Sequence, residues 1–194
     1  MVRMIAVVFL FLAFGISAQE EIYKGANTLE ASATIAPSWM LNRNESNYYI
    51  NGYAEFHLTE HFSFRGDTYF FVDSDQDASF FTSASRTYFG VFVHSQKKNW
   101  DRYMGFQPGI ALLTKNPYSD GIQTLLPIET HLSVMPSMAL TAGTSFYVWK
   151  YFNFFANLTY VHSKLSGVGG GPYMADELIL TAGLGFQINC SRKK

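Results

Sequence analysis

YINGYAEFHLTEHFSFRGDTYFFV, residues Tyr49–Val72, is the stretch whose reading decides the fold. Its side chains alternate with a period of two, which predicts two β-strands joined by a tight turn. Ile50, Gly52, Ala54, Phe56 and Leu58, then Phe62, Phe64, Gly66, Thr68, Phe70 and Val72, form a neutral, largely apolar row. Asn51, Tyr53, Glu55 and His57, then Ser63, Arg65, Asp67 and Tyr69, form a polar row carrying both signs of charge. Leu58 and Phe62 flank the loop Thr59-Glu60-His61, a register that sets Glu55 opposite Arg65 and Phe56 opposite Phe64. A one-residue slip would exchange the two rows, so the pattern specifies the pairing.

The same alternation recurs on both sides of this hairpin. Upstream, Thr28–Met40 reads as a strand with Glu30 on its polar row. Downstream, strands are expected over Ser85–His94 (Arg86 on the polar row), Arg102–Leu113, Thr130–Val148, Phe152–His162 and Glu177–Asn189. Phe92 and Phe155 interrupt the polar rows, and Pro108, unable to donate to a ladder, predicts a local bulge. The count is eight strands. Short turns follow strands two, four and six. The remaining segments, Leu41–Asn47, Asp73–Ala84, Thr114–Glu129 and Ser163–Asp176, are mostly longer loops. An up-and-down meander with short turns at one end and long loops at the other is the layout of a bacterial outer-membrane barrel.

Which row faces outward separates that reading from a soluble, lipocalin-type barrel. The polar row mixes Gly, Ser, Thr and Asn with large tyrosines and a few charges: Glu30, Glu55, Arg65, Asp67, Arg86 and Glu177. Lysines avoid the strands and collect in turns, loops and tails (Lys97, Lys98, Lys115, Lys150, Lys164). A soluble outer face would be rich in lysine and glutamate. The polar row is therefore read as a packed interior, and an eight-stranded barrel is just wide enough for side chains to fill. Glu55 and Arg65 form an expected buried ion pair, with Asp67, Arg86 and tyrosine hydroxyls supplying the further hydrogen bonds such a pair needs. Trp39, Trp149, Tyr151 and Tyr160, at strand ends, suit the aromatic girdles at the membrane interfaces.

With these eight strands, and a last strand reading LILTAGLGFQIN (Leu178–Asn189), the chain resembles the small eight-stranded outer-membrane barrels of the OmpA/OmpX type. That resemblance implies a closed, all-β, antiparallel transmembrane barrel in the outer membrane of a Gram-negative cell. It also implies contact with outer-membrane lipid and lipopolysaccharide, and insertion by dedicated machinery. Such barrels usually end on an aromatic residue read by that machinery. Here Phe186 is followed by Gln187–Lys194, so the terminal signal is displaced or different.

The termini and composition fit. Arg3, the apolar run Ile5–Phe14 and the small residues Gly15–Ala18 predict a secretory signal peptide (residues 1–18) cut after Ala18, leaving 19–194 as the barrel domain, with no peptidoglycan-binding domain expected. Charged residues are 15% and the net charge is −1, so there is no basic footprint for nucleic acid. The single cysteine, Cys190, excludes an internal disulfide.

Candidate chemistry is sparse. His162-Ser163 and His94-Ser95 invite comparison with lipid-modifying barrels, but adjacent strand residues point to opposite faces and cannot form a dyad. Asp73, Asp75 and Asp77 resemble the start of a calcium loop, but Ala78 and Ala84 stand where its glycine and glutamate are required. Gly167–Pro172 lacks the helix start a phosphate loop needs. The expectation is a non-enzymatic, monomeric barrel without cofactor or metal, acting structurally or through its surface loops. A small pore, a lipid-modifying enzyme and a soluble periplasmic binder are the alternatives.

Overall fold

The computed structural model describes residues 25–75, 79–116, 132–165 and 173–191. Eight long antiparallel strands close into one barrel: β1 (Thr28–Met40), β2 (Ser46–His57), β3 (Phe62–Ser74), β4 (Phe81–Lys97), β5 (Trp100–Lys115), β6 (Leu132–Tyr147), β7 (Phe152–Leu165) and β9 (Glu177–Asn189). A two-residue β8 (Tyr173–Met174) extends the end of β7. Each strand pairs with its sequence neighbour, and β9 closes the ring against β1. No helix occurs among the described residues. The eight strands run to 12–17 residues, more than the roughly 9–11 needed to cross a bilayer. The expected signal segment and residue Asp77 lie outside the described residues.

The two rows of the opening hairpin face as the lipid reading requires. Arg65 and Asp67 are 1% and 2% exposed, whereas Phe70 and Val72 are 55% and 57% exposed. The central outer wall is apolar, from Ile35 and Ile50 through Val91, Phe106 and Leu140 to Leu184, and exposed polar strand residues such as Ser95, Lys97 and Arg102 lie towards the short-turn end. Leu58 N–H donates to Phe62 O (2.9 Å) and Val148 N–H to Phe152 O (3.2 Å), closing both three-residue turns. Trp100, Trp149 and Tyr151 stand outward at the short-turn end, and Trp39 and Tyr48 at the other.

Several details differ from the sequence reading. β4 and β5 are longer than expected and leave only Lys98-Asn99 between them, with Lys98 at φ 54°. β3 and β4 likewise take up half of the expected Asp73–Ala84 loop. Pro108 makes no bulge: the β4–β5 ladder skips the pairs at Gln107 and Pro108 and resumes in the same register. The bulges lie instead near Tyr48/Tyr49 and Phe81/Ser83. Phe92 and Phe155 point inward with the polar row, at 0% and 3% exposure. There is room for them because glycines sit beside them. A Cβ on Gly105 would meet the Phe92 ring at 2.6 Å, and one on Gly183 would meet the Phe155 ring at 3.3 Å.

The closing seam is distinctive. Thr28–Ala31 pair with Phe186–Asn189, and Ser38–Met40 pair with Glu177–Ile179, but the ladder is interrupted between them. There Ser32 Oγ donates to Leu184 O (3.2 Å) and Thr34 Oγ1 to Ala182 O (2.8 Å), so side-chain hydroxyls bridge the interruption.

The outward wall makes a direct prediction. Leu140 sits near the middle of β6, so Leu140→Arg should cost about 2–4 kcal/mol, while Phe62→Arg at the first position of β3 should cost about 0–1 kcal/mol. Reversible urea unfolding in lipid vesicles measures both.

Candidate functional site

Charged side chains are concentrated inside the barrel, in two layers and a cap. The lower layer, towards the short turns, centres on Arg65. Its Nε and Nη2 donate to the two oxygens of Asp67 (2.9 and 2.8 Å), a bidentate fork. Its Nη1 lies 3.7 Å from Glu55 Oε2, and Tyr53 lies beneath the guanidinium at 3.8 Å. Register does place Glu55 opposite Arg65, but the tight partner is Asp67, two residues along the same strand, because that spacing puts both side chains on one face. Gln107 Nε2 donates to Asp67 Oδ2 (2.6 Å), Thr141 Oγ1 to Gln107 Oε1 (3.3 Å), and Thr141 meets Thr159 (3.0 Å). Tyr53 Oη donates to Glu30 Oε1 (2.5 Å).

The upper layer is a separate unit. Arg86 Nη1 donates to Glu177 Oε2 (2.7 Å). Glu177 also accepts from Tyr49 Oη, Asn47 Nδ2 and Ser38 Oγ. Arg86 therefore serves Glu177, rather than the Glu55–Arg65 group to which the sequence assigned it. Glu30, Glu55, Arg65, Asp67, Arg86 and Glu177 are all buried, but they form two clusters instead of one.

Above them the interior turns apolar. Met40, Phe80, Phe81, Leu113, Met135 and Ile179 form a buried cluster at the long-loop end. Phe80 is held over it: its N–H donates to Glu45 Oε1 (2.9 Å), and Ser74 and Ser79 donate to the same oxygen (both 3.1 Å). Arg43 lies 4.1 Å from the Phe80 ring centroid. Glu45 was hidden in the sequence inside a polar loop, and its partners come from the end of β3 (Ser74) and the folded-over segment at 79–80.

Sequence reasoning also missed a constellation in the lower layer. Ser63 Oγ meets His94 Nε2 (2.8 Å), and His94 Nδ1 meets Asp101 Oδ2 (2.8 Å). Glu55 closes the group, accepting from Ser63 and lying 2.9 Å from His94 Nε2. No adjacency search finds these residues, which meet only because they share the inward parity of neighbouring strands. The proposed adjacent pairs separate as expected: His94 and Ser163 are buried, whereas Ser95 points out and His162 is half-buried. His162 Nδ1 meets Asp176 (2.6 Å) at the long-loop end. Cys190 is exposed and free.

An apolar wall around a packed polar interior defines the class: a transmembrane β-barrel of the outer-membrane type. Among solved structures the chain is similar to the outer membrane protein OprG of Pseudomonas aeruginosa, with a TM-score of 0.58 and 10% identity over 88% of this chain and 100% of that one. It is also similar to the N-terminal β-barrel domain of OprF from the same bacterium (TM-score 0.53, 15% identity, 85% and 100% covered) and to Neisserial surface protein A (0.54, 11%, 84% and 96%). At such identities the likeness is one of fold. No protein-family model matches the chain. No curated protein matches it either.

The Arg65 cluster can be tested by charge removal. Arg65→Met leaves Asp67 and Glu55 buried without their cation and should cost about 3–5 kcal/mol. Arg65→Met with Asp67→Leu should cost clearly less than the two single substitutions added together, because the pair is coupled. Urea unfolding of the four proteins of the cycle measures this.

Proposed function

We propose that this protein resides in the outer membrane of a Gram-negative cell as a closed barrel, with a structural or surface-contact role carried by its long-loop end. The observation that carries this reading is the interior filling. From the short turns upward, a solute would have to pass the Arg65–Asp67 fork, the Arg86–Glu177 group and then the Phe80–Phe81 lid. All of these are buried side chains tied to more than one strand. The polar clusters act as structural glue in the barrel wall's interior.

The long-loop end is left as the contact region. It presents the exposed Lys164, with Arg43 and Lys115 half-buried over the Phe80 ring beside the mouth, and such cations suit the phosphates of lipopolysaccharide. The insertion machinery of the outer membrane is the other expected partner, and the barrel is expected to be a monomer. The Ser63–His94–Asp101 arrangement does not make the barrel an enzyme in this reading. All three residues are buried, and Glu55 occupies the space beside Ser63 that a substrate carbonyl would need.

Planar-bilayer recording of the purified barrel tests the closed state. The expected trace has no steady open current, and a stable unitary conductance overturns the reading in favour of a small pore. Folded protein should migrate differently on SDS gels before and after boiling, and release from membranes by salt alone would contradict membrane insertion.

A further inference from the structure

The two interior clusters differ in charge balance. In the upper one, Arg86 faces Glu177. In the lower one, Glu30, Glu55, Asp67 and Asp101 are all buried, and Arg65 is the only guanidinium among them in the described residues. Its fork is already committed to Asp67. Buried carboxylates without cations are costly, so the remaining charge calls for a partner. The side chains facing these carboxylates are the imidazoles of His57 and His94.

The imidazoles are placed as metal ligands are. Glu55, His57 and His94 each offer a ligand atom, and these atoms lie within 4.8 Å of one another. His94 Nε2 is 2.9 Å from Glu55 Oε1. His57 Nε2 is 3.9 Å from Glu55 Oε1 and 4.0 Å from Glu30 Oε2, too far for hydrogen bonds. His57 Nδ1 is buried without any hydrogen-bond partner. A tetrahedral ion with bonds of about 2.0–2.1 Å separates its ligand atoms by about 3.3–3.4 Å, so the two Glu55–imidazole distances need shifts of roughly half an ångström, and a pair as wide as 4.8 Å would have to close by about 1.4 Å.

The surroundings of His94 add a second, independent indication. Asp101 holds the Nδ1 side of the ring and Glu55 sits at its Nε2 side. A protonated ring donates to both carboxylates, and a metal ion would take the place of the Nε2 proton while Asp101 keeps the Nδ1 hydrogen bond. The carboxylate–histidine–metal relay is the arrangement that fixes tautomer and ring orientation in metal sites. Tyr147 Oη in turn donates to Asp101 (3.4 Å).

We propose that Glu55, His57 and His94, with Glu30 beside them, form a binding site for one divalent transition-metal ion of the zinc type inside the barrel near its short-turn end. Two imidazoles with carboxylates favour zinc or its neighbours over calcium or magnesium, which take oxygen ligands. The ion cross-links β1, β2 and β4 and neutralises the excess carboxylates. Asp101 is a positioning residue that acts through His94.

The test uses the untagged full barrel folded in detergent, stripped with a chelator and reloaded with zinc alone, then desalted. Elemental analysis should find about one zinc per chain, and zinc but not magnesium should raise the thermal midpoint. Glu55→Gln, His57→Gln and His94→Gln should each lose retained zinc, and Asp101→Asn should weaken affinity about 10–100-fold. His61→Ala with His162→Ala, which removes histidines outside the cluster, should retain it. Because the cluster variants can fail to fold, cobalt titration of the unaltered barrel provides a separate reading. Visible d–d bands of four-coordinate cobalt, abolished by competing zinc, are expected. Absence of those bands, or zinc retention equal in folded His57→Gln and His94→Gln, overturns the proposal.

Discussion

In lipid no backbone amide can be left to water, so a sheet must close on itself, and with eight strands the ring leaves space only for side chains. That one constraint organises the molecule. The outer wall becomes largely apolar by necessity, and most polar residues in the strand centres are driven into a bore too narrow to stay hydrated. Each inward group must then find its partner among the side chains of other strands. The interior consequently reads as a lattice of cross-strand bonds: Tyr53 to Glu30, Gln107 to Asp67, Thr141 to Thr159, Tyr49 to Glu177. Where a large ring must fit, a neighbouring strand supplies a glycine, as Gly105 does under Phe92.

The bore is not uniform along its axis. The short-turn half is ionic, the middle holds a balanced Arg86–Glu177 group, and the long-loop half is capped by apolar rings. Arg86 leaves Nε and Nη2 without hydrogen bonds, but the Tyr49 and Phe81 rings lie 5.4 and 5.6 Å from its guanidinium, within cation–π range. The seam between β1 and β9 shows the same economy in another form. Where its backbone ladder is interrupted, Ser32 and Thr34 hydroxyls reach across to carbonyls of the facing strand. Closure of the ring therefore rests partly on side chains at the one joint that brings together the two ends of the meander.

The fold was largely legible in the sequence because a membrane barrel repeats one simple rule along every strand. Period-two alternation, the confinement of lysine to strand ends, turns and loops (Lys97, Lys115 and Lys164 lie at the ends of β4, β5 and β7) and two three-residue turns were enough for strand number, pairing order and the inside-out choice of faces. Boundaries were less legible. Turn residues such as Gln96 and Lys97 continue β4 because ladder pairing with β5 persists past the last apolar position. Pro108 did not need a bulge, since a ladder can skip a pair without changing register.

The sequence by itself determined which residues would be interior, among them Glu30, Glu55, Arg65, Asp67, Arg86 and Glu177, because parity along a strand is a local property. Only the tertiary structure decided which of them meet. Arg65 takes Asp67, Arg86 takes Glu177, and Glu55 joins Ser63, His57 and His94. Partnerships across a barrel depend on strand stagger and on the height at which each side chain enters the bore, and neither is written in the alternation of any single strand.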